Sequence, residues 1–122
     1  MSNPDKTSVG IHVYVYPYIE SMGDLSGKTV LDIPSGDGRA TNIFKKQGAN
    51  VISLDIFPRK GKTYSSKYGD MTESLDIDDN AIDIIICQEG IEHVPDQYNL
   101  LKEFNRILKK GGDLILTTPN IS

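Results

Sequence analysis

The sequence predicts an α/β fold, a doubly wound and mostly parallel sheet with helices on both faces. Three observations carry that expectation. Short apolar runs such as Val51–Leu54 and Ile82–Cys87 alternate with stretches of helical periodicity, which implies parallel strands joined by right-handed crossovers. Those runs are largely apolar rather than strictly alternating, as strands covered on both faces are. The first of them, Val30-Leu31-Asp32-Ile33, passes through Pro34-Ser35-Gly36-Asp37-Gly38 straight into a helix. Such a tight glycine turn lets the backbone approach a ligand closely and aims the unpaired N–H groups of a helix start at it.

Each element follows in chain order. Polar Ser2–Ser8 reads as a disordered lead-in, which sets residues 1–10 apart from one domain over 11–122. Next comes the tyrosine-rich run Ile11–Ile19, where Pro17 suits the first turn of a short helix from about Pro17 to Met22. Gly23–Gly27 is a loop and Thr29–Ile33 the first strand. Arg39–Gln47 places Ala40, Ile43 and Phe44 on one face of a helix, and Gly48 ends it. Val51–Leu54 forms a second strand closed by Asp55, and Thr63–Tyr68 a more weakly patterned third ahead of Gly69-Asp70-Met71. Ile82–Cys87 is the most apolar strand. Asp96–Lys110 is an amphipathic helix with Leu100, Leu101, Phe104, Ile107 and Leu108 on one stripe. Gly111-Gly112 stops it, and Leu114–Thr118 is a fifth strand.

Composition narrows the function classes. A chain of 122 residues is one domain, and 13 basic against 17 acidic residues give a net charge of −4, which offers no nucleic-acid footprint. Arg59-Lys60-Gly61-Lys62, the densest basic stretch, reads as a solvated loop. Cys87 is the single cysteine, so an internal disulfide is excluded and a reducing compartment fits. No apolar run nears the roughly 20 residues of a membrane span, and Met1–Gly10 lacks the apolar core of a secretion signal. The expected location is the cytoplasm, with no membrane partner.

In an open parallel sheet, ligands sit outside the carboxyl ends of the strands. Asp32, Asp55, Asp70 and Gln88 stand at or just beyond such ends. A carboxylate there can cap a helix as readily as it binds a ligand, but three at successive strand ends favour a site. Asp55 is the sharpest, because a carboxylate at the second strand end can accept two bonds from a ribose diol. Thr41 stands where a dinucleotide fingerprint needs its third glycine, which disfavours a nicotinamide-dependent oxidoreductase.

The chain resembles the class I (Rossmann-like) S-adenosylmethionine-dependent methyltransferases. The residues that carry the resemblance are Val30–Gly38, Val51–Asp55, Gly69-Asp70-Met71, Asp83–Val94 and Leu108–Asn120, in family order and spacing. It implies S-adenosylmethionine as cofactor and assigns roles position by position. Asp32 would organise the turn and accept from the cofactor amino group, directly or through water. Pro34, Gly36 and Gly38 would form the turn, its glycines letting the backbone pass the methionine and ribose parts. Asp55 would bind the ribose hydroxyls and Ile56 pack on the adenine. Asp70 would accept from the adenine amine, Met71 donate its backbone N–H, and Gln88 lie near the sulfonium. Glu92-His93 resembles the family's acid–histidine pair. His93 is either a structural residue near a helix start or a general base toward an acceptor hydroxyl, a task imidazole suits near neutral pH.

One departure is Pro34, where the family usually shows glycine; proline fixes φ and removes an N–H donor. Other features read plainly. Asp76–Asn80 is a solvated acidic loop, since Ala81 and Cys87 replace the glycine and glutamate a calcium loop needs. His12 and His93 form no metal site. Cys87 is a small buried hydrophobe, and Tyr14, Tyr16 and Tyr18 either lid the cofactor or pack in the core or on the surface. The implied function is methyl transfer to a small-molecule or saccharide acceptor. The alternatives are a cofactor-binding fragment without a complete acceptor site and the nicotinamide enzyme. The family continues with further strands after the fifth, so a truncated sheet is expected, its apolar fifth-strand edge covered by a second copy in a homodimer.

Overall fold

Five parallel strands form one sheet in the order β3-β2-β1-β4-β5. The computed structural model describes residues 12–117, with side chains from Val15 onward. The strands are β1 (Thr29–Asp32), β2 (Asn50–Asp55), β3 (Lys67–Tyr68), β4 (Ile82–Gln88) and β5 (Leu108–Thr117). The helices are α1 (His12–Ser21), α2 (Arg39–Lys46) and α3 (Gln97–Ile107). The lead-in expected over 1–10 and the side chain of Tyr14 lie outside the described residues.

The apolar strands are buried on both faces because each face meets a helical layer. On one side Val30, Ile84, Ile86 and Ile115 pack against Val15 and Ile19 of α1 and Ala40 and Phe44 of α2. On the other, Leu31, Ile85 and Cys87 pack against Leu100, Phe104 and Ile107 of α3. The expected doubly wound sheet is therefore present. Strand order reverses between β1 and β4, which opens a crevice beyond their carboxyl ends.

Four elements depart from expectation by more than one residue at a boundary, each for a physical reason. Helix α1 begins at His12 and carries Pro17 in its interior. Val15 and Ile19 lie one turn apart and are fully buried, and burial of that face outweighs the lost backbone bond. Strand β3 keeps only Lys67 and Tyr68 of the expected Thr63–Tyr68; Tyr64 turns inward, and Ser65 bridges antiparallel to Lys60. Helix α3 is capped by the Asp96 carboxylate, which accepts from the Asn99 N–H at 3.0 Å, and it ends at Ile107 rather than Lys110. Leu108 already pairs with Ile82, so Gly111 and Gly112 fall inside β5, where the register jumps to Ile84 opposite Asp113. Gly111, with φ 81°, makes a bulge instead of stopping a helix. Leu101, expected on the buried stripe, is 40% exposed.

Candidate functional site

The crevice holds a cavity of about 240 Å³. Its walls are Ile33 and Pro34 after β1, Ile56 after β2, Gly69–Thr72 after β3, and Glu89, Gly90, His93 and Val94 after β4. Four loops meet here because parallel strands all deliver their connections to the same edge. The lining is mostly apolar, with Asp70 as a fixed acceptor at one side.

Asp70 is held by its own turn. Its Oδ1 accepts from the Thr72 backbone N–H at 2.8 Å and the Thr72 hydroxyl at 2.7 Å, and these bonds keep its carboxyl below the usual range. Met71 follows, with its sulfur 3.9 Å from that of Cys87. Gly90 closes the wall tightly: a Cβ there would fall 2.5 Å from Pro34 Cδ and 3.0 Å from Met71 Cε. The Ile33–Pro34 peptide bond is cis.

Asp55 precedes Ile56 and is 9% exposed. Its Oδ2 accepts from the Gly36 N–H and its Oδ1 from the Phe57 N–H, both at 2.9 Å. A carboxylate offers about four acceptor positions, so those two bonds orient the group while leaving capacity for a diol. The turn above it needs its glycines, since Gly36 and Gly38 have φ 54° and 86°. A Cβ on Gly36 would face open space.

Of the expected cofactor-binding residues, Pro34, Ile56, Asp70 and Met71 line the cavity, whereas Gly36, Gly38 and Asp55 stand beside it and Asp32 and Gln88 also lie outside the lining. Asp32 is 1% exposed beneath the turn, where its Oδ2 accepts from the Thr41 hydroxyl at 2.6 Å, and Thr41 in turn meets the Ser53 hydroxyl at 2.7 Å. That network ties β1 to α2 and β2. Burial pushes the Asp32 carboxyl up to about 7, against the Thr41 bonds that favour its charged form. The native state therefore holds this proton more tightly than the unfolded chain does. Stability from Asp32 should be complete below the ordinary aspartate range and fall as pH rises from about 4 to about 7. Asp32→Asn should flatten that fall in urea midpoints; an unchanged slope would assign the effect to another group. Glu103, held near about 2 first by its bond from Arg106, acts in the opposite sense and at lower pH, so the two are separable.

Gln88 donates its amide to the Tyr16 hydroxyl at 3.1 Å, and the Arg39 guanidinium stacks 4.1 Å from the Tyr16 ring centroid. Tyr16 thus ties α1 to the ends of β4 and α2. His93 ends a short 3₁₀ turn over Ile91–His93; its imidazole is 78% exposed at the cavity rim, 3.7 Å from Glu92. Cys87 is buried, and burial pushes its thiol up to about 12, as expected of a core residue.

Sequence reasoning did not single out Glu89, Gly90, Thr72 and Val94 as parts of this wall. Gly90, a glycine just past the end of the most apolar strand, was the one available signal. Glu89, with φ 51°, gave none.

A family described as methyltransferase domain matches residues 15–122. The ubiquinone biosynthesis O-methyltransferase of Xanthomonas oryzae pv. oryzae is 28% identical, with 96% of this chain and 54% of that protein covered. The protein of the same name from Coxiella burnetii is 31% identical, covering 84% of this chain and 48% of its own length. The chain spans about half the length of these curated relatives. The crystal structure of an S-adenosylmethionine dependent methyltransferase from Mesorhizobium loti matches with a TM-score of 0.70 at 18% identity, over 84% of this chain and 52% of that one. That likeness shows the fold.

Proposed function

The chain belongs to the methyltransferase domain family, with the class I Rossmann-like fold that uses S-adenosylmethionine, and from that premise we propose that its crevice binds this cofactor for methyl transfer to a hydroxyl oxygen of a small molecule. The observation that carries the reading is one apolar cavity lined by the oriented Asp70 carboxylate, with a second oriented carboxylate, Asp55, at the end of β2 next to the lining residue Ile56. The residues present fit the group. Ile33, Ile56, Met71 and Val94 give an apolar slot for a flat base, Asp70 an acceptor for an amine, and Asp55 acceptors for a diol. Gly36 gives open backbone for the tail.

When bound, the cofactor supplies a methyl group already activated by a sulfonium. The protein then contributes mainly proximity, orientation and exclusion of water. Asp55 and Asp70 would fix the nucleoside, and the glycine turn would receive the amino-acid part. Gln88 would stand near the transferring end, held by Tyr16. His93, at the rim, would take the acceptor's hydroxyl proton into the imidazole. The names of the curated relatives favour a small-molecule hydroxyl over a saccharide as acceptor.

Calorimetric titration tests this reading. S-adenosylhomocysteine is expected to bind and NADH to give no heat. Binding of NADH alone would overturn the proposal and restore the nicotinamide enzyme.

A further inference from the structure

We propose that Tyr64 is a positioning residue that holds the glycine turn in the shape receiving the amino-acid part of the cofactor. The inference rests on the function proposed above. Its observation is independent: a Cβ built on Gly38 would fall 2.4 Å from two ring carbons of Tyr64. The ring therefore sits directly against the Gly38 backbone. The Tyr64 hydroxyl reaches across and donates to Ser35 Oγ, and both residues are under a tenth exposed.

The turn needs such a support. Gly38 caps α2 with no side-chain bond, and both Gly36 and Gly38 occupy the left-handed region, which glycine enters without a conformational preference to keep it there. Strand β2 pins the first half of the turn, through Ser35 N–H to Leu54 O and Gly36 N–H to Asp55, both at 2.9 Å. The second half has no bond to β2. Gly38 N–H donates to Ser35 O at 2.9 Å, Arg39 N–H to Asp37 Oδ1 at 3.2 Å and Asn42 N–H to Gly38 O at 2.9 Å, bonds within the turn and the start of α2. The Tyr64 ring packs against it from outside.

Tyr64 is itself well held. The segment between β2 and β3 closes on itself, with Ser66 N–H donating to Arg59 O and Arg59 N–H to Ser66 Oγ, both at 2.9 Å, and Lys60 bridging Ser65. This closed segment delivers the ring inward from an otherwise solvated basic stretch. Tyr64 does not line the cavity, so it would act through the turn and not by touching the cofactor's base.

Two ligands separate this role from a merely structural one. Adenosine uses the Asp55, Ile56 and Asp70 side alone, whereas S-adenosylhomocysteine also needs the turn. Tyr64→Ala should weaken S-adenosylhomocysteine about tenfold and leave adenosine within about twofold, because a turn that must be ordered on binding forfeits affinity for the part it contacts. Tyr64→Phe, which keeps the ring and loses the hydroxyl, should fall between, at about threefold. Equal losses for both ligands, or none for Tyr64→Ala, would overturn the proposal. If Tyr64→Ala does not fold, Tyr64→Phe decides, and an affinity equal to wild type overturns it. A wild-type chain that binds neither ligand overturns the underlying function and this inference with it.

Discussion

Phe104→Ala should lower the unfolding free energy by about 3–5 kcal/mol, the range for truncating a buried phenylalanine. Phe104 is 1% exposed in the layer between α3 and the sheet, among Leu31, Ile85, Leu100 and Ile107. Leu31 and Ile85 belong to β1 and β4, strands paired on both sides, so they can collapse little into the space the ring leaves. The loss is then the transfer energy of the ring plus that of a retained cavity. Against a typical total of about 5–15 kcal/mol, it would take a large share. Tyr98 provides the control: on the same helix, 72% exposed, its truncation should stay within about 0.5 kcal/mol. Urea unfolding of the two variants measures the difference. Near-equal values would mean that α3 is not seated on the sheet as described.

Much of this architecture could be read from the chain, and what could not has identifiable causes. The passage from β1 through the glycine turn into α2 was legible because an apolar run, two glycines and an amphipathic stretch agree. The end of α3 was not, because Lys109-Lys110-Gly111-Gly112 has the composition of a helix terminus while Leu108 is already committed to pairing with Ile82. Only the sheet register, a long-range property, decides between them. Pro17 concealed α1 in the same way, since the burial of Val15 and Ile19 that outweighs it is tertiary. At the crevice, Asp70 was legible as a residue just beyond a strand end, and Ile56 and Met71 only through the family resemblance. The orientation of Asp32 was not: its position at a strand end is local, but its turn inward toward Thr41 and Ser53 depends on where α2 and β2 pack. Tyr64 lay in a weakly patterned strand whose residues serve the turn instead of the sheet.

Asp55→Ala should weaken S-adenosylhomocysteine binding by about 1.5–3 kcal/mol, the scale of hydrogen bonds to a charged group, or roughly ten- to a hundredfold. Two losses combine in that figure. The alanine removes the acceptors for a ribose diol, and it releases the Gly36 and Phe57 N–H groups that the carboxylate now holds at 2.9 Å. The second loss loosens the turn from β2, so part of the effect belongs to organisation rather than contact. Asp55→Asn separates the two. Its amide keeps one carbonyl acceptor for the backbone or the ligand, but its NH₂ cannot accept from the other N–H, so an intermediate affinity is expected. Ligands with and without the ribose hydroxyls complete the comparison. S-adenosylhomocysteine should lose more than its 2′,3′-dideoxy analogue when Asp55 is replaced, since only the former offers the diol. Equal losses would confine Asp55 to holding the turn, and an unchanged affinity in Asp55→Ala would remove it from the site altogether.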